Sequence, residues 1–281
     1  MDIDCRAIAQ SLKLNLMQQS LVLEEDMGIV PSLVSVSVNR TGDSSAYVRS
    51  KRKLAEELGV QFRDMDLKGA TAAELESQLR DLSSDPSVHG IMIESPLPGG
   101  FDFQKFADMI PAAKDVDGLS TESQGLIAVN REFMRPATAY AIIKILEHLN
   151  VPGGSSVTII NRSKLIGRPL AMMLLNRDYT PTVCHSKTID LQRIARSSGI
   201  LVTGVGKAGF ITSDYVTENT VLIDASINFR NGKITGDADY ENLRDHIMAI
   251  TPVPGGVGAI TPVMIYTNLI ASLMERSRIS H

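Results

Sequence analysis

A lysine on the apolar face of a helix is the first residue here whose type invites chemistry. In Ser44-Ser-Ala-Tyr-Val-Arg-Ser-Lys-Arg-Lys-Leu-Ala-Glu-Glu-Leu-Gly59, the residues Tyr47, Lys51, Leu54 and Leu58 recur at i, i+4, i+7 and i+11. That spacing lines one side of a helix, and its other members are the ones that turn inward. An ammonium on that line has two readings. Its stem packs while the charge snorkels to water, or partial burial tunes it for proton transfer. Lys114-Asp-Val-Asp-Gly118 sets two carboxylates in one short segment. Taken alone it reads as an ordinary solvated turn.

Two further segments suit a nucleotide. Asn161-Arg-Ser-Lys-Leu-Ile-Gly-Arg-Pro169 leaves a strand and opens a helix, the place where a pyrophosphate meets a helix N-terminus. Only Gly167 remains of a GxGxxG pattern, and Pro169 suits a first helical turn; the alternative is a basic surface loop. Cys184-His-Ser-Lys-Thr188 ends the next strand without the acid that would bind a ribose hydroxyl. Ser186 and Lys187, with Arg162, suit a 2′-phosphate instead, which favours NADP over NAD. His185 is a candidate base, or a packing or phosphate-side residue at the edge of the site. Ile93-Glu-Ser-Pro-Leu-Pro98 runs a strand into two stiffening prolines. Thr251-Pro-Val-Pro-Gly-Gly-Val-Gly-Ala-Ile-Thr261 is a rigid small-residue loop. It is either an interdomain connection or a loop whose backbone approaches a flat ligand.

The elements that position these segments alternate in type. Leu33–Asn39, Gln61–Leu67 and Gly90–Ile93 read as strands. They are separated by the lysine helix, capped by Ser44 or Ser45 and ended at Gly59, and by a helix from Thr71 to Leu82. Thr71 with Glu74 makes a capping box. After a helix over Thr138–Leu149, strands are expected at Val157–Ile160, Thr182–Cys184, Gly199–Thr203 and Val221–Asp224. Helices at Arg168–Leu175 and Asp190–Arg196 lie between them. Strands alternating with helices imply parallel sheets, with ligands at the strands' carboxyl ends. An apolar helix over Pro262–Glu275 comes last.

Composition sets the bounds. The 281 residues suffice for two domains. A net charge of −4 argues against a general nucleic-acid binder. Two cysteines, Cys5 and Cys184, make no disulfide framework, and no Cys/His cluster has metal-ligand spacing. Neither a signal peptide nor an apolar run of the ~20 residues needed to span a membrane is read in the sequence. A cytoplasmic, metal-free protein without a membrane segment is expected.

Taken in order, these segments resemble the bifunctional methylenetetrahydrofolate dehydrogenase/methenyltetrahydrofolate cyclohydrolases. The resemblance rests on Tyr47 with Lys51, Pro96-Leu-Pro98, Lys114-Asp-Val-Asp-Gly118, Arg162-Ser163 with Gly167-Arg-Pro169, Cys184-His-Ser-Lys-Thr188 and Pro252-Val-Pro-Gly-Gly-Val-Gly258. It implies a two-domain α/β fold. A catalytic folate-binding domain would comprise residues 1–138 plus 262–281, with the final helix returning to it. Residues 139–261 would form a Rossmann-like, doubly wound NADP-binding domain. The folate would lie in the cleft between the two, and the protein would be a homodimer. The resemblance implies catalytic roles for Lys51, Tyr47, Glu94 and Asp117. Tyr47 would stack on the folate and Asp117 would hold the pterin. Pro96, Leu97, Pro254, Gly255 and Gly256 would complete the substrate contacts. Asn161, Arg162, Ser163, Gly167, Arg168, Pro169, His185, Ser186 and Ile227 would hold NADP.

The chain also departs from that family. Glu94 stands where glutamine is usual, and a carboxylate there favours the lysine's ammonium form. Pro136-Ala-Thr-Ala-Tyr-Ala141 lacks a second proline and a glycine. Asn161-Arg-Ser163 replaces Gly-Arg-Ser. Asp224-Ala-Ser-Ile-Asn228 replaces Asp-Val-Gly-Ile-Asn. Ala259 follows Gly258 in place of proline. Dehydrogenation is expected intact and hydrolysis altered, with a dehydrogenase weak or lacking in hydrolysis as the alternative. More remote are an NADP-linked dehydrogenase of a small hydroxy or amino acid and a non-catalytic folate or nucleotide sensor.

Overall fold

The computed structural model describes residues 1–39, 42–230 and 232–279, with the side chains of residues 42–47 and 277–279 outside the description. Two units emerge. One comprises Ser11–Ala137 with Pro262–His281, the other Met1–Gln10 with Thr138–Thr261. Met1–Gln10, expected in the first domain, pack with the second. The amide of Ile3 bonds the Ile250 carbonyl at 2.8 Å and the Tyr240 hydroxyl donates to Asp2 at 2.6 Å.

After helix α1 (Cys5–Met27), the first unit runs β1 (Ser32–Ser37), α2 (Gly42–Glu57), β2 (Gln61–Asp66), α3 (Ala72–Ser84), β3 (Gly90–Ile93), α4 (Phe103–Ala107) and α5 (Thr121–Ala128). Its sheet is parallel, in the order β2-β1-β3. Period-two alternation divides the strands between two faces. Val34, Val36, Ile91 and Ile93 pack with Leu75, Leu79 and Leu82 of α3. Ser35 and Met92, paired in register, belong to the other set. Helix α3 carries the expected capping box: Thr71 accepts from the Glu74 amide, and Glu74 accepts from the Thr71 amide. Helix α2 begins at Gly42, so Ser44 and Ser45 lie inside it and are not its cap; their side chains are outside the description. Gly59 does end this segment, at φ +68°, where only glycine is free of strain.

The second unit continues with α6 (Ala137–His148), β4 (Ser156–Ile160), α7 (Gly167–Leu175), β5 (Thr180–Cys184), α8 (Leu191–Arg196), β6 (Ile200–Thr203), β7 (Val221–Asp224), the hairpin β8 (Asn228–Arg230) and β9 (Lys233–Thr235), α9 (Tyr240–Leu243) and β10 (Ala249–Ile250). Five parallel strands follow the order β10-β7-β6-β4-β5. Strand order reverses at β4, whose neighbours β5 and β6 lie on opposite sides. In a doubly wound sheet, that switch point is where a ligand crevice opens.

The last helix, α10, spans Val257–Ile279 and carries Pro262 inside it, so it starts five residues before the expected Pro262. Residues 257–276 of α10 are also long and apolar enough to cross a membrane, contrary to the sequence expectation; about 67% of that window is buried within the protein. It is the kind of segment a core helix supplies.

Candidate active site

Lys51 projects from α2 onto the Ser35/Met92 face of the first sheet. It is fully buried, its Nζ 3.8 Å from the Met92 sulfur and in contact with Glu94 Oε1. Glu94 stands one residue beyond β3, two after Met92, and so on the same face. Its amide still bonds the Val36 carbonyl at 2.8 Å, which fixes it as an extension of the strand. The Glu94 side chain is 11% exposed. The hydroxyl of Ser35 donates to the same Oε1 at 2.5 Å. Lys51 is therefore not a packed stem with its charge in water: its charge is inside the fold beside a carboxylate.

The two acids of the 114–118 segment separate in role. Asp115 is buried and accepts from the Leu119 and Ser120 amides and from the Ser123 hydroxyl, at 3.2, 2.8 and 2.7 Å. It holds the turn together. Asp117 is half-buried and within the electrostatic reach of both Lys51 and Glu94. Burial pushes its carboxyl up to about 7, with the charge of Asp115 adding to the effect. Gly118, at φ +66°, lies so close to Arg135 that a Cβ would fall 2.5 Å from a backbone carbon.

Helix α10 fastens this assembly. The buried Tyr266 hydroxyl donates to the Lys51 carbonyl at 2.7 Å. Asn268 donates to the carbonyls of Val116 and Arg135, at 2.8 and 2.7 Å. Sequence reasoning missed Ser35, Tyr266 and Asn268. Their traces in the sequence, a serine amid the valines of β1 and a tyrosine and an asparagine within an apolar helix, point to no partner.

Of the other expected substrate residues, Pro96 is exposed and Leu97 packs against the α3 core. The side chain of Tyr47 lies outside the described residues. Gly255 and Gly256 belong to the second unit. Gly255 has φ +102°, and a Cβ on Gly256 would meet the Pro252 carbonyl at 2.3 Å. The Ser95–Pro96 and Val253–Pro254 peptide bonds are cis.

At the switch point of the second sheet, Asn161 is the organiser. Its Oδ1 accepts from the amides of Ser163 and Gly167, at 2.7 and 3.0 Å, and its amide nitrogen donates to the Gly204 carbonyl beyond β6 at 2.5 Å. The Arg168 amide bonds the Ser163 carbonyl, and Ile166 donates to the Ser163 hydroxyl. The first amides of α7 are thus taken within the loop, where the sequence pointed to a pyrophosphate. Gly167 is obligatory, since a Cβ would lie 2.0 Å from the Asn161 carbonyl oxygen. Arg162 and Arg168 are exposed and Pro169 is buried. After β5, His185 Nδ1 accepts from the Lys187 amide at 3.2 Å and its own amide donates to Thr188 at 2.8 Å. That places His185 in the turn and leaves Ser186 and Lys187 exposed. Ile227 is exposed on the segment leading to the β8–β9 hairpin.

A second buried carboxylate secures these loops. Asp237 accepts from the Thr203 hydroxyl, the amides of Val205 and Lys207, and Asn228, at 2.8, 2.6, 2.7 and 3.1 Å. Burial alone would raise it, but the donors outweigh burial and hold it below the usual carboxylate range. Asp224, buried and facing Asp237, is pushed up to about 6. Replacing Asp237 by alanine leaves at least two amides and a hydroxyl unpaired. The expected cost is about 3–5 kcal/mol, to be read as a lower urea midpoint for unfolding. A cavity of about 430 Å³ opens beside Asp224, Arg230, Lys233, Tyr240 and Thr251, and none of the residues expected to bind the nucleotide lines it. Among the described residues no group of His, Cys, Asp and Glu side chains could hold a metal ion.

A doubly wound sheet with a polar loop at its switch point, joined in one chain to a parallel α/β unit with a buried lysine, defines a two-unit nucleotide-binding α/β protein. The sequence profile of the tetrahydrofolate dehydrogenase/cyclohydrolase catalytic domain matches residues 3–117, and that of the family's NAD(P)-binding domain matches residues 136–277. The chain belongs to the tetrahydrofolate dehydrogenase/cyclohydrolase family. It is 45% identical over 253 residues to the bifunctional protein FolD of Thermoplasma volcanium, covering 90% of each chain. It is similar to the crystal structure of the bifunctional 5,10-methylenetetrahydrofolate dehydrogenase/cyclohydrolase of Thermoplasma acidophilum, with a TM-score of 0.92 and 42% identity over 97% of both chains. The Trypanosoma brucei enzyme, solved with NADP and an inhibitor, gives a TM-score of 0.92 at 29% identity, covering 99% of this chain and 98% of that one.

Proposed function

We propose that this chain oxidises 5,10-methylene-tetrahydrofolate with NADP and hydrolyses the resulting 5,10-methenyl-tetrahydrofolate to 10-formyl-tetrahydrofolate. The observation that carries the reading is the buried Lys51 in contact with Glu94, with Asp117 in electrostatic reach, in a chain of this family. Asp117 accepts from the amino and ring N–H groups of the pterin. Tyr47 stacks on the folate ring system. Pro96, Leu97 and the Pro254-Gly255-Gly256 backbone complete the substrate contacts.

The chain's own residues suit NADP. Arg162, Ser186 and Lys187 are exposed at the carboxyl ends of β4 and β5, and no acid stands there to repel a 2′-phosphate. When bound, NADP accepts the hydride. The loop 161–169 and Ile227 orient it, with Asn161 and Gly167 acting through the loop's shape. Arg162→Ala is expected to weaken NADP binding about tenfold while leaving NAD binding nearly unchanged, since a charge-assisted hydrogen bond is worth about 1.5–3 kcal/mol. Titration of both dinucleotides checks this.

For hydrolysis, a water oxygen forms a bond to the methenyl carbon as the C=N π pair moves onto nitrogen, and the proton that water loses goes to Glu94. The C–N5 bond then breaks. N5 takes a proton from Lys51, and the hydroxyl that becomes the formyl oxygen returns one to it. One water is consumed and one proton released. The contact between Lys51 and Glu94 also favours a second reading, in which the pairing leaves hydrolysis slow. Both steps are followed by absorbance: NADPH appearance with methylene-tetrahydrofolate, and loss of methenyl-tetrahydrofolate. NADP binding without turnover of either substrate would sink the proposal.

A cytoplasmic homodimer paired through the nucleotide unit belongs to the same reading. Exposed Phe229 and Ile234 on the β8–β9 hairpin supply apolar surface for it. Sedimentation of the purified chain tests the pairing.

A further inference from the structure

We propose that Ser35 is a positioning residue for the hydrolytic step, acting through Glu94. This rests on the functional reading above and extends it to a residue on a different strand. Ser35 lies in the centre of β1, is fully buried, and pairs in register with Met92 of β3. A serine there buries a hydroxyl between Val34 and Val36, a costly choice unless the hydroxyl has a partner. Its partner is Glu94 Oε1, at 2.5 Å, the same oxygen that Lys51 contacts.

Two donors on one carboxylate oxygen fix the plane of the group. They converge from opposite layers, Ser35 from the sheet and Lys51 from α2. Among the described residues both contacts fall on Oε1, so Oε2 is the oxygen presented to the reacting water. Backbone anchoring completes the arrangement, because the Glu94 amide is held by the Val36 carbonyl. The carboxylate then has few rotamers left to search, and a base held in one orientation avoids the entropic cost of finding it. Among the described residues the charged or titratable groups that face Glu94 are Lys51, Asp117 and Tyr266; Ser35 is a neutral donor, and removing it changes orientation without changing the charge of the cluster. The dehydrogenation step does not use Glu94 as a base and should not depend on Ser35.

The test compares the full-length native chain with Ser35→Ala and Ser35→Thr. Methenyl-tetrahydrofolate hydrolysis and methylene-tetrahydrofolate oxidation are measured separately. Ser35→Ala is expected to lower kcat for hydrolysis about tenfold, with KM and the dehydrogenase rate changed less than about twofold, as expected for loss of one charge-assisted hydrogen bond. Ser35→Thr keeps the hydroxyl, suits a strand, and should restore hydrolysis to within about threefold of native. Unchanged hydrolysis in Ser35→Ala overturns the proposal. So does an equal fall in both activities, or a Ser35→Thr variant that oxidises normally yet hydrolyses no better than Ser35→Ala. A native chain that oxidises its substrate but does not hydrolyse methenyl-tetrahydrofolate overturns the hydrolytic reading itself, an outcome visible before any variant is made.

Discussion

Glu94→Gln is expected to slow methenyl-tetrahydrofolate hydrolysis by about tenfold or more while dehydrogenation changes less than about threefold. In the native chain the proton from water goes to the carboxylate that Lys51 and Ser35 both contact. Glutamine cannot accept that proton, and general-base assistance of this kind is commonly worth about a hundredfold in rate. Hydride transfer does not use the carboxylate as a base and should be nearly indifferent to the change. The two rates, measured separately on both proteins, decide the matter. Equal hydrolysis by the variant and the native chain would show that Glu94 does not accept the proton.

Asp117→Asn is expected to make the ligand-free protein more stable at neutral pH and to weaken substrate binding. Burial, with the charge of Asp115 adding to it, holds the Asp117 carboxyl at about 7 in the folded chain, against an ordinary value of 3.8. A group raised in this way binds its proton more tightly when folded. Its contribution is fully present below the unfolded value and is lost as pH rises through the folded one. Between about pH 4 and 7 the native chain therefore pays progressively for carrying a half-buried charge, up to about 4 kcal/mol before allowance for solvent contact. Asparagine removes the loss, so the stability gap between variant and native should widen across that interval and level off above it. Denaturation at a series of pH values measures the gap. The substrate side runs oppositely. The charged carboxylate is the better acceptor for the pterin's donors, so KM for the variant should rise about tenfold or more, and native KM should rise as pH drops below 7. A variant no more stable than native at pH 7.5 would remove the basis for both expectations.

How far the sequence carries depends on which physical signal each residue leaves. Lys51 was legible because a charge on an apolar helical stripe breaks a periodicity. The strands β3 and β7 were legible to the residue, since short β-branched runs bounded by turn residues allow little else. The capping box of Thr71 and Glu74 was legible from spacing alone. Ser35 was not, because serine in a strand breaks no rule until its partner fifty-nine positions away is known. Tyr266 and Asn268 were hidden for the same reason: their targets are backbone carbonyls, which sequence does not distinguish. The start of α10 was misplaced because proline usually marks a first turn, whereas Pro262 here sits within the helix. The long helix α1, the short helices α4 and α5 and the β8–β9 hairpin carry weak periodicity, and their boundaries emerge only from packing.

Asn161 bears on how such a chain tolerates change. The family's usual residue there is glycine, yet reversal is not a neutral step in this background. Deleting the side chain would strip partners from the Ser163 and Gly167 amides and the Gly204 carbonyl together. Gly167 is equally committed, since any side chain would collide with the Asn161 backbone. Asn161 is entrenched through the three partners its side chain holds, whereas the constraint on Gly167 comes from backbone and would outlast any change at 161; a search keyed to glycine spacing passes over a loop whose shape is kept by an amide.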